Sequence, residues 1–118
     1  MPNYTNGETV IIGDQVLCVK KLLPKIVKGE KVMVPLKGEV VPSGTFMQPP
    51  GDHICVVFHE DSFWSSHSWK SMNLPRKSGG FGFIKPQELR LQSRGVKGQS
   101  VFDALPKSER PRYYDERE

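Results

Sequence analysis

Short apolar runs separated by turn residues extend through the first ninety positions of the chain. Each run is short and rich in β-branched or aromatic residues, and Gly, Pro, Asp or Ser residues bound most of them. This is the pattern of strands in an antiparallel sandwich or barrel. The pattern predicts an all-β domain of five or six strands. The runs cover residues 9–12, 15–22, 31–34, 38–41, 53–59, 81–84 and 89–91.

Prolines occur frequently in the same region. Proline removes a backbone donor and clashes with the preceding helical turn, so its frequent occurrence excludes a long helix before residue 95. Proline is also rare in central strand positions, and we therefore expect Pro35 to separate two short strands. Two long loops are expected over residues 42–52 and 60–79, and long loops on a small barrel are common binding sites.

The strand pattern ends after residue 92. Residues 93–99 are typical of a flexible linker, and residues 100–105 predict one helical turn capped by Ser100. Residues 106–118 are mostly charged and carry only Tyr113 and Tyr114 as residues with an apolar body. We therefore expect a β-barrel over residues 1–93 and a linker with a mostly disordered polar tail over residues 94–118.

Four segments resemble parts of SH3-like small barrels of the KOW, Tudor and SH3 type. They are the Gly13-Asp14 turn, a glycine turn at Gly38, the strand over 54–58, and residues 83–91, where Pro86 begins a single 3₁₀ turn between the last two strands. The resemblance covers residues 10–92 and implies an SH3-like antiparallel barrel with a flexible C-terminal extension. It also implies a binding module, because barrels of this type commonly contact nucleic acid, peptides or partner proteins. The chain lacks the acidic, tyrosine-rich first loop of signalling SH3 domains.

Length and composition narrow the class of protein. A chain of 118 residues suits a single small core, and no apolar run approaches the ~20 residues of a membrane span. The first residues show no secretory signal pattern. Cys18 and Cys55 are too few for a disulfide scaffold. These features predict an intracellular, cytoplasmic protein with reduced cysteines and no membrane association.

Positive charge is concentrated in one stretch. The chain has a formal net charge of +4, and between positions 20 and 37 six lysines accompany a single acid, Glu30. Lysines can neutralise phosphates, and aromatic rings beside cations in the second long loop can stack on unpaired bases. The alternatives are lysines that only protect strand edges and tryptophans that cover the core. The predicted nucleic-acid-binding residues are Lys20, Lys21, Lys25, Lys28, Lys31, Lys37, Trp64, Trp69, Lys70, Arg76 and Lys77.

A protein-binding role would use other apolar residues. Phe46 and Met47 lie in the first long loop, where they would form an apolar anchor. Val101, Phe102 and Leu105 would let the tail order on a partner. The alternative for the tail is that Phe102 and Leu105 dock onto the protein's own barrel.

Neither metal binding nor catalysis is predicted. Cysteines and histidines are present, but no pair of cysteines has the spacing of a structural zinc site. The serines around His67 do not define a nucleophile with an oriented base. The sequence therefore predicts a non-enzymatic, cofactor-free module that contacts nucleic acid or a nucleoprotein assembly. A protein–protein module, such as an inhibitor or adaptor, and a subunit of a larger particle are the open alternatives.

Overall fold

A computed structural model describes residues 3–42, 51–59, 81–96 and 98–116. The described strands are β1 (Gln15–Val27), β2 (Glu30–Val41), β3 (Ile54–Phe58), β4 (Phe81–Ile84) and β5 (Leu89–Ser93). Neighbouring strands pair antiparallel in one sheet, in the order β4-β3-β2-β1-β5. The prediction of a mainly β, antiparallel domain is confirmed. Helical structure is limited, among the described residues, to α1 (Arg112–Glu116) and three 3₁₀ turns, Pro86–Glu88, Val101–Ala104 and Lys107–Glu109.

The described strands form an open sheet. β4 and β5 stand at opposite ends of the pairing order and do not pair with each other over the described residues. A closed barrel needs hydrogen bonding all the way round, so the structure shows a sheet rather than the predicted barrel. The predicted turn before the last strand is confirmed. Pro86 begins the 3₁₀ turn between β4 and β5, and the Glu88 N–H donates to the Lys85 carbonyl at 2.9 Å.

Two details of the predicted strands were wrong. β2 runs unbroken through Pro35 and Gly38, where we expected a break and a turn. At Pro35, β2 has only β1 as a described neighbour, so one edge of β2 makes no hydrogen bonds to another described strand there. Proline is tolerated at such an edge because its missing N–H breaks no hydrogen bond between strands. Gly38 lies where β2 approaches β3, and an added β-carbon would lie 2.5 Å from Val56 Cγ1. The expected strand over residues 9–12 is reduced to one bridge between Asn3 and Thr9.

The central part of the sheet is buried on both faces. Alternate side chains of a strand point to opposite sides, and β3 is buried at all five positions. The N-terminal segment covers one face through Tyr4, and the C-terminal segment covers the other. The first cluster includes Tyr4, Val16, Leu36, Val40, Val56 and Phe58, and the second includes Val41, Cys55, Val57, Phe102, Leu105 and Tyr114.

The C-terminal segment forms short helical turns and packs on the sheet over the described part of the tail. The predicted capped turn is confirmed, since the Phe102 N–H donates to Ser100 Oγ at 3.0 Å and the Ser100 N–H donates to Asp103 Oδ2 at 2.9 Å. The Phe102 ring is fully buried and meets Tyr114 edge-on at 5.8 Å between centroids. Burial of apolar side chains on an otherwise open sheet face supplies the ordering free energy that a polar tail alone would lack. The division into units at residue 93 stays a prediction.

A buried carboxylate fixes the N-terminal segment. Asp14 is fully buried, and its Oδ2 accepts from the Tyr4 hydroxyl at 2.7 Å, the Ile11 N–H at 2.9 Å and Arg94 Nη1 at 2.9 Å. The second guanidinium nitrogen of Arg94 donates to Glu8 at 2.7 Å. Burial, and then the Asp14 carboxylate, raise the pKa of Tyr4. This network joins the segment before β1 to the residue after β5.

Candidate functional site

β1 and β2 extend beyond the body of the sheet as a two-stranded hairpin, here called the arm (residues 19–35). Its strands pair from Leu22 opposite Pro35 out to Val27 opposite Glu30. β5 pairs with β1 only up to Cys18, and β3 pairs with β2 only from Gly38 onward. Among the described strands, the arm therefore has no third neighbour.

A bulge and a tight turn define the two ends of the arm. The register shifts between Cys18 and Leu22, so that Val19, Lys20 and Lys21 have no residue opposite them. Such an irregularity bends and twists a strand locally. At the far end Lys28 and Gly29 form a two-residue turn, with φ values of 51° and 81°. Turns with two left-handed residues match the twist of a hairpin, and Gly29 adopts this conformation without steric cost.

Apolar side chains of the arm lie in solvent. Ile26 is 72% exposed and Met33 is 49% exposed, and Leu22, Val27 and Val32 are also exposed. Five of the eight exposed large hydrophobic residues in the described part of the chain therefore belong to the arm. Exposed apolar residues concentrated in one element make the arm a candidate interaction surface. Sequence reasoning missed these residues, although apolar residues on both faces of a lysine-rich hairpin were the available signal.

The arm also carries the whole positive surplus of the chain. Residues 19–35 contain five lysines and one glutamate, whereas the rest of the chain contains twelve basic and twelve acidic residues. Lys20, Lys28 and Lys31 are exposed. Five lysines with a single acid concentrate positive charge on this hairpin. The arm is therefore both the most apolar and the most basic exposed feature that the structure describes.

The structure places part of the predicted nucleic-acid interface on the arm. Lys20, Lys21, Lys25, Lys28 and Lys31 lie there. Lys37 lies apart from them, exposed on β2 within the body of the sheet and opposite Leu17. The remaining predicted residues, Trp64, Trp69, Lys70, Arg76 and Lys77, lie outside the described residues and stay predictions.

The structure describes some of the predicted protein-binding residues and not others. Phe46 and Met47 lie outside the described residues. Phe102 and Leu105 are buried on the sheet, and Val101 is half-buried beside them. In this arrangement the tail anchors contact the protein's own core, as the self-docking alternative expected.

The cysteines and histidines do not form a site in the described part of the chain. Cys18 and Cys55 are buried in separate apolar clusters on opposite faces of the sheet and are not joined by a disulfide. Burial raises the pKa of the Cys55 thiol to about 12. His53 Nδ1 lies 3.5 Å from Asp52 Oδ1. Over the described residues, no three His, Cys, Asp or Glu side chains are grouped to hold a metal ion.

A pocket of about 390 Å³ lies beside β5, lined by residues of the N-terminal segment and by Arg90. Arg90 is the cation in its wall, and Arg90 Nη1 already donates to Thr5 Oγ1 and the carbonyls of Gln87 and Leu89 at 3.1–3.2 Å. This pocket is therefore a weaker candidate than the arm. Within the described ranges, no helix has the length and apolar character to cross a membrane.

No protein-family model, curated protein or solved structure matches this chain. Function is therefore inferred from the geometry and charge of the arm.

Proposed function

We propose that this protein is a non-enzymatic module that binds nucleic acid, alone or within a nucleoprotein assembly, through the arm. The observation that carries the proposal is that the whole positive surplus of the chain coincides with a solvent-exposed hairpin. Such an extension can reach along or into a groove while the body of the protein stays outside.

The chemistry of the arm fits a polyanion. Lysines that neutralise phosphates release condensed counterions, which favours binding and makes it dependent on salt. Lys28 at the turn and Lys31 beyond it place two such groups at the far end, and Lys20 places another at the base.

The arm is poorly suited to binding by strand addition. Pro24 and Pro35 lack the backbone N–H that an added strand would require, and one lies on each strand of the arm. Lysines on exposed strands further discourage pairing with another chain. These features favour a partner that is recognised by charge and by the faces of the ribbon.

We also propose that the sheet belongs to the SH3-like class of small barrels. Two observations support this interpretation: the first strand pairs with both the second and the last strand, and a 3₁₀ turn precedes the last strand. In this interpretation the arm is an elongated first hairpin. The expectation of a reducing, cytoplasmic location stays a prediction.

A protein–protein module is the second candidate. The specific observation in its favour is the exposure of Leu22, Ile26 and Met33, since apolar anchors of this kind contribute most to protein interfaces. Under this alternative the lysines would control solubility and the rate of association.

Titration of labelled oligonucleotides separates the two candidates. Fluorescence anisotropy would be recorded for a single strand and a duplex of the same sequence, each at a low and a high salt concentration. The proposal predicts binding at low salt that weakens steeply as salt is added. Absence of detectable binding to both oligonucleotides at low salt would contradict it and favour the protein-binding candidate.

A further inference from the structure

We propose that the nucleic acid is duplex DNA, and that Ile26 inserts between base pairs and bends it. This inference rests on the proposed function and deepens it. The observation that carries it is the placement of the exposed Ile26 side chain directly opposite Lys31 near the far end of the arm.

The residue types of the arm favour a duplex over a single strand. Proteins that bind single strands stack the bases on aromatic rings, and residues 19–35 include no Phe, Tyr or Trp. Aliphatic side chains serve a different purpose, because they act as wedges that partly unstack neighbouring base pairs. The exposed apolar side chains of the arm are of the aliphatic kind that can act as wedges.

The position of Ile26 fits a wedge. Ile26 lies two residues before the turn at Lys28, directly opposite Lys31, and is 72% exposed. Directly opposite residues of a hairpin share one face, so Ile26 and Lys31 lie on the same side of the arm, whereas Val27 lies on the other side with Glu30. When Lys31 contacts a phosphate, the Ile26 side chain is carried towards the base pairs. Insertion would then remove apolar surface from water, which is favourable.

The cost of unstacking predicts a preference among DNA sequences. Pyrimidine–purine steps such as TA unstack and kink more readily than other steps. A protein that wedges apart a base step without reading base edges should therefore prefer flexible steps. The arm should favour a duplex with a central TA step over one whose centre is a rigid A-tract.

The test combines binding with bending. A duplex of about 25 base pairs, short relative to the persistence length of DNA, would carry a donor and an acceptor fluorophore at its ends and a central TA step. At saturating full-length protein, we expect energy transfer to rise as the ends approach each other. Ile26→Ala should lose most of this rise while its affinity, supported by the lysines, falls less than tenfold. The matched control is Ile11→Ala, which truncates an isoleucine that is 50% exposed outside the arm and should bend DNA like the wild type.

The outcomes separate this inference from the proposed function. Binding without bending, equal bending by Ile26→Ala and wild type, or tighter binding of the single strand would overturn the wedge and leave nucleic-acid binding intact. Failure of wild-type protein to bind any oligonucleotide at low salt would overturn both. Circular dichroism and urea unfolding of each variant establish that it is folded before bending is compared.

Discussion

Ile26 lies opposite Lys31 in the register of the arm, so the most exposed of the large hydrophobic side chains described has a lysine as its cross-strand neighbour. Cross-strand neighbours in a hairpin usually cover each other and stabilise the pair. Here the isoleucine remains 72% exposed, so the pairing contributes little to burial. The arm is thus a part of the molecule whose side chains are available to a partner.

Shortening the arm should separate binding from stability. Replacing residues 25–32 with Asn-Gly would join Pro24 to its register partner Met33 through a favoured hairpin turn. Because the apolar residues removed are exposed, we expect the free energy of unfolding to change by less than about 1 kcal/mol, while oligonucleotide binding is lost. Urea unfolding and anisotropy measure the two effects. A large loss of stability would show that the arm supports the fold.

Truncating a buried residue of the tail should reduce stability rather than binding. Phe102 is fully buried against the sheet, so Phe102→Ala should lower the free energy of unfolding by about 3–5 kcal/mol. Val101→Ala, at a half-buried neighbouring position, should cost clearly less. Urea unfolding of both variants checks the docking of the tail, and equal stability of Phe102→Ala and wild type would refute it.

Two arginine variants compare an ion pair to a buried carboxylate with an ion pair at the surface. Arg94→Ala removes a guanidinium from the fully buried Asp14 and should destabilise the protein by about 1–3 kcal/mol or more. Arg112→Ala removes an ion pair with Glu116 in which both side chains are mostly exposed, and its effect should stay between about 0 and 1 kcal/mol. Equal effects in urea unfolding would mean that the Asp14 network contributes no more than a surface ion pair.

Alkaline pH should weaken the fold through Cys55. The pKa of its thiol is raised by burial from 9.0 to about 12, so the unfolded chain loses this proton at lower pH than the folded chain does. Between those two values the group should lower the free energy of unfolding by up to about 1.4 kcal/mol for each pH unit. Cys55→Ala should be less stable at neutral pH because of the cavity, yet its stability should fall less steeply above pH 9. Parallel curves for the two proteins would contradict this account.

Local patterns predicted much of the sheet. Dense β-branched sequence at residues 54–58 identified β3, and the Pro86 turn and the Ser100 cap depend on neighbouring residues only. Local patterns did not predict contacts between residues that are far apart in the sequence. Asp14 and Arg94 are separated by eighty positions, and nothing near either residue indicates the other.

In the arm, a generally valid rule about proline led to a wrong prediction. The rule that proline avoids central strands predicted a break at Pro35, but the rule does not apply where a strand has only one described neighbour. As a result the basic stretch was identified, while its shape as one continuous hairpin with exposed apolar residues was not. The packing of the tail could not be derived from its sequence alone, because its few apolar residues, including Phe102 and Tyr114, pack on a sheet face that the sequence pattern did not show to be open.

The most direct test of nucleic-acid binding by the arm is the salt dependence of duplex affinity for a paired set of lysine variants. Lys28→Ala/Lys31→Ala removes two exposed charges from the arm, and Lys85→Ala/Lys107→Ala removes two exposed charges from elsewhere. The account predicts that the arm variant binds more weakly at low salt, with a slope of log affinity against log salt that is shallower by about 1–2, while the control pair retains the wild-type affinity and slope. Equal affinities and slopes for both variants would show that the arm does not contact phosphates and would contradict the account.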